Sequence, residues 1–468
     1  MRGFNTLLFV LFALSANAAD GTLGTVSVQK GNNVSVNGEA PLSLTLDGKD
    51  HQSCQFLSKR APDESHEFTW KEVTTTRGGE LAEILGDQLR SVDSLVVKGN
   101  VNDKDFHAMW DASLYGYLSV INLKNAVLEN NAVPDTAFFH ENEQYEGSSH
   151  EIFYYIGLRK IILPEGLEKI GEGAFYQASA LRQVNFPSTL RYIGDFAFNA
   201  TKLEMNQLVI PEGVEEINQY AFAFCRKLKA QVTLPSTIKK IGEWAFYGCP
   251  ITSINLPEGL ESLGSLAFWD CDLREVSIPS SCHEFNEGWQ FGFNRNLEKM
   301  HLPEGMTEIP DHFAVDCFRL REVNFPHTLK HIGEKAFSLC ISLKNVDLPL
   351  GMQSLGEEAF SELEALEQIV FPASMKSLGK NSCSYWKNIK RIYCAAMEPP
   401  VCDPTDGGVF SGFDFPDGLN TPVVYVPKGS INKYKDTSRN CMGWEKFWNY
   451  AEIDPSEFPT TAIDSPAI

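Results

Sequence analysis

The chain has 468 residues, of which 43% are hydrophobic, and its 61 acidic and 40 basic side chains give a formal net charge of −21 at pH 7. Such an excess of negative charge repels nucleic acid and anionic lipid headgroups at long range, so neither is expected as a partner. Beyond the N-terminal segment no stretch is long and apolar enough for a membrane-spanning helix, and we expect no membrane insertion.

Residues 1–18 have the pattern of a secretory signal peptide. Arg2 precedes an apolar run from Leu7 to Leu14 that is too short to span a bilayer, and small residues before Ala19 suit cleavage near Ala18. The sequence therefore predicts a mature protein that is exported from the cell.

The next two segments differ in pattern from the rest of the chain. Residues 19–75 hold short alternating stretches of valine and leucine among glycine, asparagine and aspartate, which predicts a β-like extension. Residues 76–130 contain two stretches with helical periodicity, Glu80 to Leu89 and Asp103 to Ala112, and two strand-like runs. We expect an N-terminal cap and the first repeats here, because a stacked array must cover its first open edge.

Residues 131–157 are an aromatic-rich insertion between two strand-like repeats. Rigid, amphipathic rings often anchor protein interfaces. Candidate ligand-binding residues in this insertion are therefore Phe139, Tyr145, Tyr154 and Tyr155. In the alternative interpretation these rings pack against the edge of the repeat array.

Residues 158–396 repeat the pattern L-x-x-I-x-L-P-x-x-L-x-x-I-G-x-x-A-F ten times. The proline recurs at positions 164, 187, 211, 235, 257, 279, 303, 326, 349 and 372. This fixed period predicts a stacked solenoid, because a single repeat cannot bury its own apolar face. In each repeat, L-x-x-I-x-L predicts a strand that ends at the proline, I-G predicts a second short extended segment, and the A-F phenylalanine is predicted to point inward.

With weaker copies on both sides, the repeats predict a mainly β repeat solenoid of about 13 turns, joined by irregular or short helical turns. Residues 397–453 contain a Pro-Pro pair, a glycine-rich stretch and Trp444, and we interpret them as a C-terminal capping unit. Residues 454–468 are interpreted as a flexible tail.

Five of the eleven cysteines share one position in their repeats, three residues after the phenylalanine, or after Ala314 in the seventh repeat: Cys225, Cys249, Cys271, Cys317 and Cys340. We interpret them as a column of buried thiols rather than disulfides, because free cysteine behaves as a compact hydrophobe. A bridge among Cys394, Cys402 and Cys441 is left open. None of the cysteines has the C-x-x-C spacing of a zinc site.

The repeats closely resemble the BspA-like leucine-rich repeats of secreted and surface proteins of bacteria, over about residues 75–453. The stretch from Leu234 to Cys249, L-P-S-T-I-x-x-I-G-x-x-A-F-x-x-C, fits that pattern almost letter for letter. The Y-V-P-K-G-S stretch that begins at Tyr425 resembles the C-terminal unit of the family. The resemblance implies a right-handed leucine-rich repeat superhelix of an adhesin or ligand-binding protein, secreted or displayed on a bacterial cell. It implies neither a reaction nor catalytic residues.

Three repeats depart from this pattern. In the sixth, a Trp289-Gln290-Phe291-Gly292-Phe293 stretch replaces the regular segment, and in the seventh Phe313 lies one position early. In the tenth, Cys383 occupies the phenylalanine position. We expect these departures to leave the fold intact but to disturb its local regularity.

The outward side of the strands is the best candidate for a binding surface. If the apolar residues of I-x-L point inward, the residues on either side of the isoleucine form two parallel outward rows, here called the sheet face. The candidate ligand-binding residues on this face are Asn185, Gln207, Gln231, Thr233, Asn255, Ser277, His301, Asn324 and Asn345. Their amides and hydroxyls suit hydrogen bonding to a protein or a glycan, although any exposed sheet must be polar.

The sequence favours a non-enzymatic, exported scaffold that binds a macromolecular ligand, with adhesin-like recognition of a protein. A glycan-binding module of a nutrient-uptake system is the first alternative, and a hydrolase with a site in the terminal segments is the second. H-E-x-x-H, G-x-S-x-G, P-loop and dinucleotide-binding motifs are all missing from the sequence. We expect no cofactor, no metal and a monomer.

Overall fold

The computed structural model describes residues 66–139, 156–403, 408–412, 422–436 and 443–459, and the backbone of five strands outside these ranges. Those strands are β1 (Gly24–Gln29), β2 (Asn33–Gly38), β3 (Leu44–Leu46), β4 (Gln55–Leu57) and β9 (Ile152–Tyr154). β1 pairs with β2 and β3, and β4 pairs with β9. The predicted signal peptide and residues 460–468 of the predicted tail lie outside the described residues.

The chain forms two compact units, Met1–Lys229 and Ala230–Ile468. A regular coil of the solenoid contributes two short strands. In the first unit, the strands that come before the proline of a repeat, or in the equivalent place of a coil without that proline, pair in parallel and form a first ladder. They are β5 (Trp70–Thr75), β6 (Ser94–Val101), β7 (Val120–Leu128), β10 (Lys160–Ile162) and β12 (Gln183–Val184), and β14 (Gln207–Val209) occupies the same place in the next turn. The short strands at the I-G position, which comes after the proline in the regular repeats, form a second ladder. They are β8 (Ala132–Val133), β11 (Lys169–Ile170), β13 (Tyr192–Ile193) and β15 (Glu216–Ile217).

Helices cover part of the first unit where the sequence predicts them. They are α1 (Leu81–Leu85), the 3₁₀ helix Gly86–Ser91, α2 (Asp103–Tyr115) and the 3₁₀ turn Glu129–Asn131. A capping box of Asn102 and Asp105 starts α2. The buried Asp105 carboxylate also accepts hydrogen bonds from the backbone N–H groups of Gly79 and Leu81, at 2.7 and 2.9 Å, and so holds the start of α1 against α2.

The second unit repeats the same design. Its first ladder contains β16 (Gln231–Thr233), β18 (Ser253–Asn255), β20 (Glu275–Ser277), β22 (Lys299–His301), β24 (Glu322–Asn324), β27 (Gln368–Phe371), β29 (Arg391–Cys394), β31 (Val423–Pro427) and β32 (Tyr450–Ile453). Its second ladder contains β17 (Lys240–Ile241), β19 (Ser262–Leu263), β21 (Glu284–Phe285), β23 (Glu308–Ile309), β25 (His331–Ile332), β26 (Ser354–Leu355), β28 (Ser377–Leu378) and β30 (Val401–Cys402). The remaining elements are α3 (Ile431–Tyr434) and the 3₁₀ turns Trp444–Lys446 and Pro455–Glu457.

Both units are parallel β-solenoids with little helix, which confirms the predicted repeat-solenoid fold. The ladders contain strands beyond the predicted series. β5 pairs in parallel with β6 at the N-terminal side of the first unit. In the second unit β31 pairs with β29 and β32 pairs with β31, so the C-terminal segment continues the sheet.

Stacked phenylalanines fill the interior of the first unit, as the A-F motif predicts. Consecutive rings of the column lie 5.2 to 5.3 Å apart and within 12° of parallel: Phe138, Phe175, Phe198 and Phe222. All four side chains are fully buried. Each repeat contributes one ring, so the apolar core grows by one layer with every turn.

In the second unit, the stacking of the phenylalanine rings changes at the irregular repeats. Phe246, Phe268 and Phe291 stack at 5.6 and 5.5 Å, within 9° of parallel. The ring of Phe313 lies edge-to-face on Phe291 instead, at 75°, because it comes one residue early in its repeat. Gln290, which stands where other repeats have alanine, is fully buried. The departures predicted from the sequence therefore change ring geometry locally. In the described residues the second ladder is also interrupted between β21 and β23, while β20, β22 and β24 of the first ladder stay paired.

The backbone of each turn is unusual for residues that carry a Cβ atom. Two residues four positions apart have positive φ, for example Phe196 at 55° and Ala200 at 59°. The left-handed region is unfavourable for such residues. Here it lets the N–H groups of Phe196, Phe198 and Ala200 each donate to a carbonyl of the next turn at 2.8 to 2.9 Å. The repeat pattern did not reveal this third line of hydrogen bonds between turns.

The cysteine column consists of free, buried thiols, as predicted. The structure adds a reason for its position. Four of the thiols donate to a backbone carbonyl of the preceding turn at 3.2 to 3.4 Å: Cys225, Cys271, Cys317 and Cys340. Asn294 and Trp386 occupy the same position and donate to the equivalent carbonyls at 2.7 Å. Cys394 and Cys402 are also free and buried, and Cys441 lies outside the described residues.

Candidate functional site

The sheet face is present in both units, and most of its predicted residues are exposed. On this face β16 and β18 pair in register, so that Gln231 faces Ser253 and Thr233 faces Asn255. All four side chains are exposed, while Val232 and Ile254 between them are buried. The sheet thus places four neutral polar groups on a rigid, flat surface, here called the polar patch, in the second unit.

The polar patch makes no internal hydrogen bonds. Within the described residues none of its four side chains has a hydrogen-bond partner, and the same is true of Gln207, Ser277 and Asn345. Their donors and acceptors therefore face solvent, where a ligand can replace water.

Two other predicted site residues are used by the solenoid itself. The Asn185 side chain accepts from the backbone N–H of Leu163 at 2.7 Å and donates to its carbonyl at 3.0 Å. Asn324 makes the same pair of bonds with Leu302, at 2.9 and 3.0 Å. Each amide extends the hydrogen-bond ladder toward the preceding turn and keeps only part of its bonding capacity for a ligand.

Charged residues on the sheet face of the second unit are largely paired with each other. His301 lies 3.3 Å from Glu275, and Lys299 lies 3.2 Å from Glu322. These pairs span neighbouring turns of the first ladder and are exposed, so each contributes little to stability. Lys299 offsets the charge of Glu322, whereas His301 can offset that of Glu275 only when its imidazole is protonated.

Asp347 is the acidic residue of this face that lacks such a partner among the described residues, and Arg391 on β29 is an unpaired basic one. Asp347 takes the outward position two residues before its proline, as Asn324 and Val370 do in the flanking repeats. Its carboxylate is half-buried and has no hydrogen-bond or ion-pair partner among the described residues. Burial raises the pKa of Asp347 above its ordinary value, with no neighbouring cation to oppose the shift. Asp347 could not be identified as a candidate from the sequence, because its missing partner is visible only in three dimensions.

Two tyrosines continue the row that contains Asp347 and Val370. Val370 faces Tyr393 in the β27–β29 pair, and Tyr393 faces Tyr425 in the β29–β31 pair. The two half-buried rings stack with centroids 4.6 Å apart and 13° from parallel, and Phe458 lies edge-on against Tyr393. The polar sheet face therefore becomes aromatic toward its C-terminal side. This aromatic surface could have been predicted from the sequence, because Tyr393 and Tyr425 occupy the outward positions of β29 and β31.

The structure separates the residues of the predicted aromatic insertion. Ala137 and Phe138 follow β8 and form the A-F segment of a regular turn, with Phe138 in the buried column, and Phe139 comes directly after it. The half-buried ring of Phe139 packs edge-to-face on Tyr176 at 4.8 Å and lies away from the sheet face. Tyr154 belongs to β9, of which only the backbone is described, and Tyr145 and Tyr155 lie outside the described residues.

A metal site and a membrane-spanning helix are both absent from the described residues. Among the described residues, no group of three or more histidine, cysteine, aspartate or glutamate side chains could hold a metal ion. In the same parts of the chain, no helix combines the length and the apolar character needed to cross a membrane.

Solved structures similar to this chain are bacterial leucine-rich repeat proteins. One from Bacteroides ovatus is 20% identical and covers 79% of this chain and 93% of its own, with a TM-score of 0.47. A leucine-rich cell surface protein from Faecalibacterium prausnitzii is 17% identical with the same coverages and a TM-score of 0.34. The leucine-rich repeat protein of T. pallidum is 29% identical over 34% of this chain and 77% of its own, with a TM-score of 0.32. A search of curated proteins gave no significant match.

The family comparison covers more than half of the chain. The model of the BspA type leucine-rich repeat region matches in 6 copies, over residues 148–231, 230–337 and 312–397. These residues include strands β10 to β29, the phenylalanine column from Phe175 onward and the cysteine column. The chain belongs to the BspA-type leucine-rich repeat family.

Proposed function

We propose that this protein is a non-enzymatic, exported recognition scaffold whose sheet face binds a macromolecular ligand, in the manner of an adhesin. The observation that carries the proposal is the polar patch: four exposed side chains, in register on two paired strands, without internal hydrogen bonds. Other polar residues of the same face, such as Asn185, serve the ladder, so the patch is not merely the polarity that any exposed sheet requires.

The architecture supports recognition rather than catalysis. Leucine-rich repeat families supply rigid scaffolds, and the periodic surface of a solenoid suits contact with an extended partner. Strands about 4.8 Å apart hold the patch residues in fixed positions, so little conformational entropy is lost when a ligand binds. We place a protein ligand first, because the amides and hydroxyls of the patch suit hydrogen bonding to a polypeptide, and a glycan remains the alternative that the test distinguishes.

The test uses the mature protein, residues 19–468, against immobilised panels of purified extracellular-matrix proteins and of polysaccharides. A variant with Gln231, Thr233, Ser253 and Asn255 replaced by alanine should lose at least about tenfold in affinity for any protein that the wild type captures, equivalent to about 1.4 kcal/mol. Its circular dichroism and melting temperature should remain close to those of the wild type, because the patch has no internal partners.

The matched control replaces Glu284 and Glu308, exposed on the second ladder of the same unit, with glutamine. This control should bind as the wild type does. Unchanged capture by the quadruple alanine variant would exclude the polar patch as the binding surface. Capture of polysaccharides alone would favour the glycan-binding function instead, and turnover of any panel member would identify an enzyme.

A further inference from the structure

We propose that the sheet face around Asp347, Val370 and Tyr393 holds a lysine or arginine side chain of a protein ligand. This inference rests on the proposed function and specifies the chemistry of the ligand. It concerns the C-terminal side of the sheet face in the second unit, several turns away from the polar patch.

The first step is the state of the Asp347 carboxylate. A carboxylate that loses water without gaining a partner destabilises the folded protein. The other acidic side chains in the outward rows of this unit have partners on neighbouring strands: Glu275 contacts the His301 imidazole and Glu322 pairs with the Lys299 ammonium group. Asp347 is half-buried and, within the described parts of the chain, unpaired. A cation from outside the chain would supply the missing partner.

The second step is the surface next to the carboxylate. Val370 takes the position of Asp347 one repeat later in the sequence, and the Tyr393–Tyr425 stack follows Val370 across the paired strands. The hydroxyl groups of both tyrosines lack hydrogen-bond partners within the described residues. The site therefore combines an anionic group, an aliphatic side chain and aromatic rings in one line, with acceptors at the rim.

The third step is the choice of occupant. A divalent metal ion needs several oxygen ligands, and Asp347 alone cannot supply them. Lysine and arginine side chains carry an aliphatic stem and a charged end, so the stem can lie along Val370 while the charge reaches Asp347. The neighbouring tyrosines add attraction for a cation. An extended segment laid along the row would also suit the regular spacing of the strands.

The test selects ligands without assuming their identity. A surface-displayed library of random, terminally blocked dodecapeptides is enriched on the full chain, and the enriched sequences are compared with those from Asp347→Asn and Asp316→Asn. Asp316 is the matched control, since it is a half-buried aspartate of the same unit whose pKa burial also raises, but it lies in the turn after β23, off the sheet face. Both substitutions remove one negative charge and keep the shape of the side chain.

Peptides selected by the wild type and by Asp316→Asn should be enriched in lysine or arginine at one position. The enrichment should vanish with Asp347→Asn, and a selected peptide should bind this variant at least about fivefold more weakly. The melting temperature of Asp347→Asn at pH 7 should be equal to or higher than that of the wild type. A lower melting temperature with lost binding would assign Asp347 a structural role and overturn the proposal.

Other results also overturn the site. These are the absence of any selected peptide, the absence of basic enrichment, equal enrichment by Asp347→Asn, and binding only to neutral oligosaccharides. The quadruple alanine variant of the polar patch separates the two proposals. Selected peptides without basic residues that this variant fails to bind would remove the Asp347 site and leave the sheet-face function standing.

Discussion

Close contact between turns depends on one glycine in each regular repeat. A Cβ atom added at Gly264 would lie 2.4 Å from the backbone N of Glu243 in the preceding turn, and one at Gly356 would lie 2.6 Å from that of Glu334. Backbone atoms cannot yield as the end of a side chain can. The glycine of the I-G motif therefore sets how closely the turns approach.

Gly264→Ala should lower the free energy of unfolding by about 2 kcal/mol, because the methyl group would force the two turns apart. Gly351→Ala is the matched control, since a Cβ atom there would meet nothing closer than a carbonyl oxygen at 3.8 Å. Urea unfolding followed by circular dichroism measures both variants. Equal stability of the two variants would show that the turn spacing does not depend on Gly264.

The buried cysteines lead to a second prediction at this scale. Burial raises the pKa of Cys282 to about 12 and that of Cys394 to about 11, and it raises the pKa values of Cys317 and Cys383 further. Because the thiolate is the reactive form, these thiols should resist iodoacetamide at pH 8 in the native protein and react fully in guanidinium chloride. Peptide mass spectrometry reads out each position. A disulfide between any two of them would contradict the structure.

Turns of the array are coupled in pairs by the residues that follow each proline. In the first eight repeats P-E-G alternates with P-S-T, P-S-S or P-H-T, and the ninth and tenth carry P-L-G and P-A-S. The Ser281 hydroxyl accepts from the N–H of Gly259 at 3.0 Å and donates to the carbonyl of Leu260 at 2.7 Å. The hydroxyls of Thr189 and Thr328 make the equivalent bonds in other repeats. Alternation in the sequence thus marks hydrogen bonds between neighbouring turns.

Ser281→Ala should cost about 1 to 2 kcal/mol, because two backbone groups of the preceding turn lose their partner. Ser280→Ala removes only the exposed hydrogen bond that its hydroxyl donates to Glu258 and should cost at most about 0.5 kcal/mol. Hydrogen exchange of the Gly259 amide shows whether the loss is local. Slow exchange of that amide in Ser281→Ala would count against the coupling.

Periodicity explains why so much of the molecule could be predicted. The inward Ile and Phe positions recur with every turn, so a sequence pattern identifies strands, core and cysteine column together. Roles that depend on distance could not be predicted in this way. Asn185 and Gln231 occur at similar outward positions, yet only the structure shows that the first bonds to the ladder and the second faces solvent. The unpaired state of Asp347 is hidden from sequence for the same reason.

A solenoid must also end, and in the second unit the end is built around one indole ring. Trp444 is fully buried and packs against Phe371, Phe410 and Tyr434, at ring distances of 6.2, 4.9 and 5.3 Å. These residues join β27 to the segments around the last strands, β31 and β32. Trp444 therefore covers the last layer of the apolar core that runs through the stacked turns.

Trp444→Ala should cost about 3 to 5 kcal/mol, because a large cavity would open beneath the final strands. Trp448→Ala is the control within the same segment: its side chain is 81% exposed and its removal should change stability by no more than about 0.5 kcal/mol. Hydrogen exchange should show faster opening of β29, β31 and β32 in Trp444→Ala while the strands near β16 stay protected, since repeats interact mainly with their neighbours. Uniform loss of protection across the unit would instead mean that its turns unfold as one cooperative body.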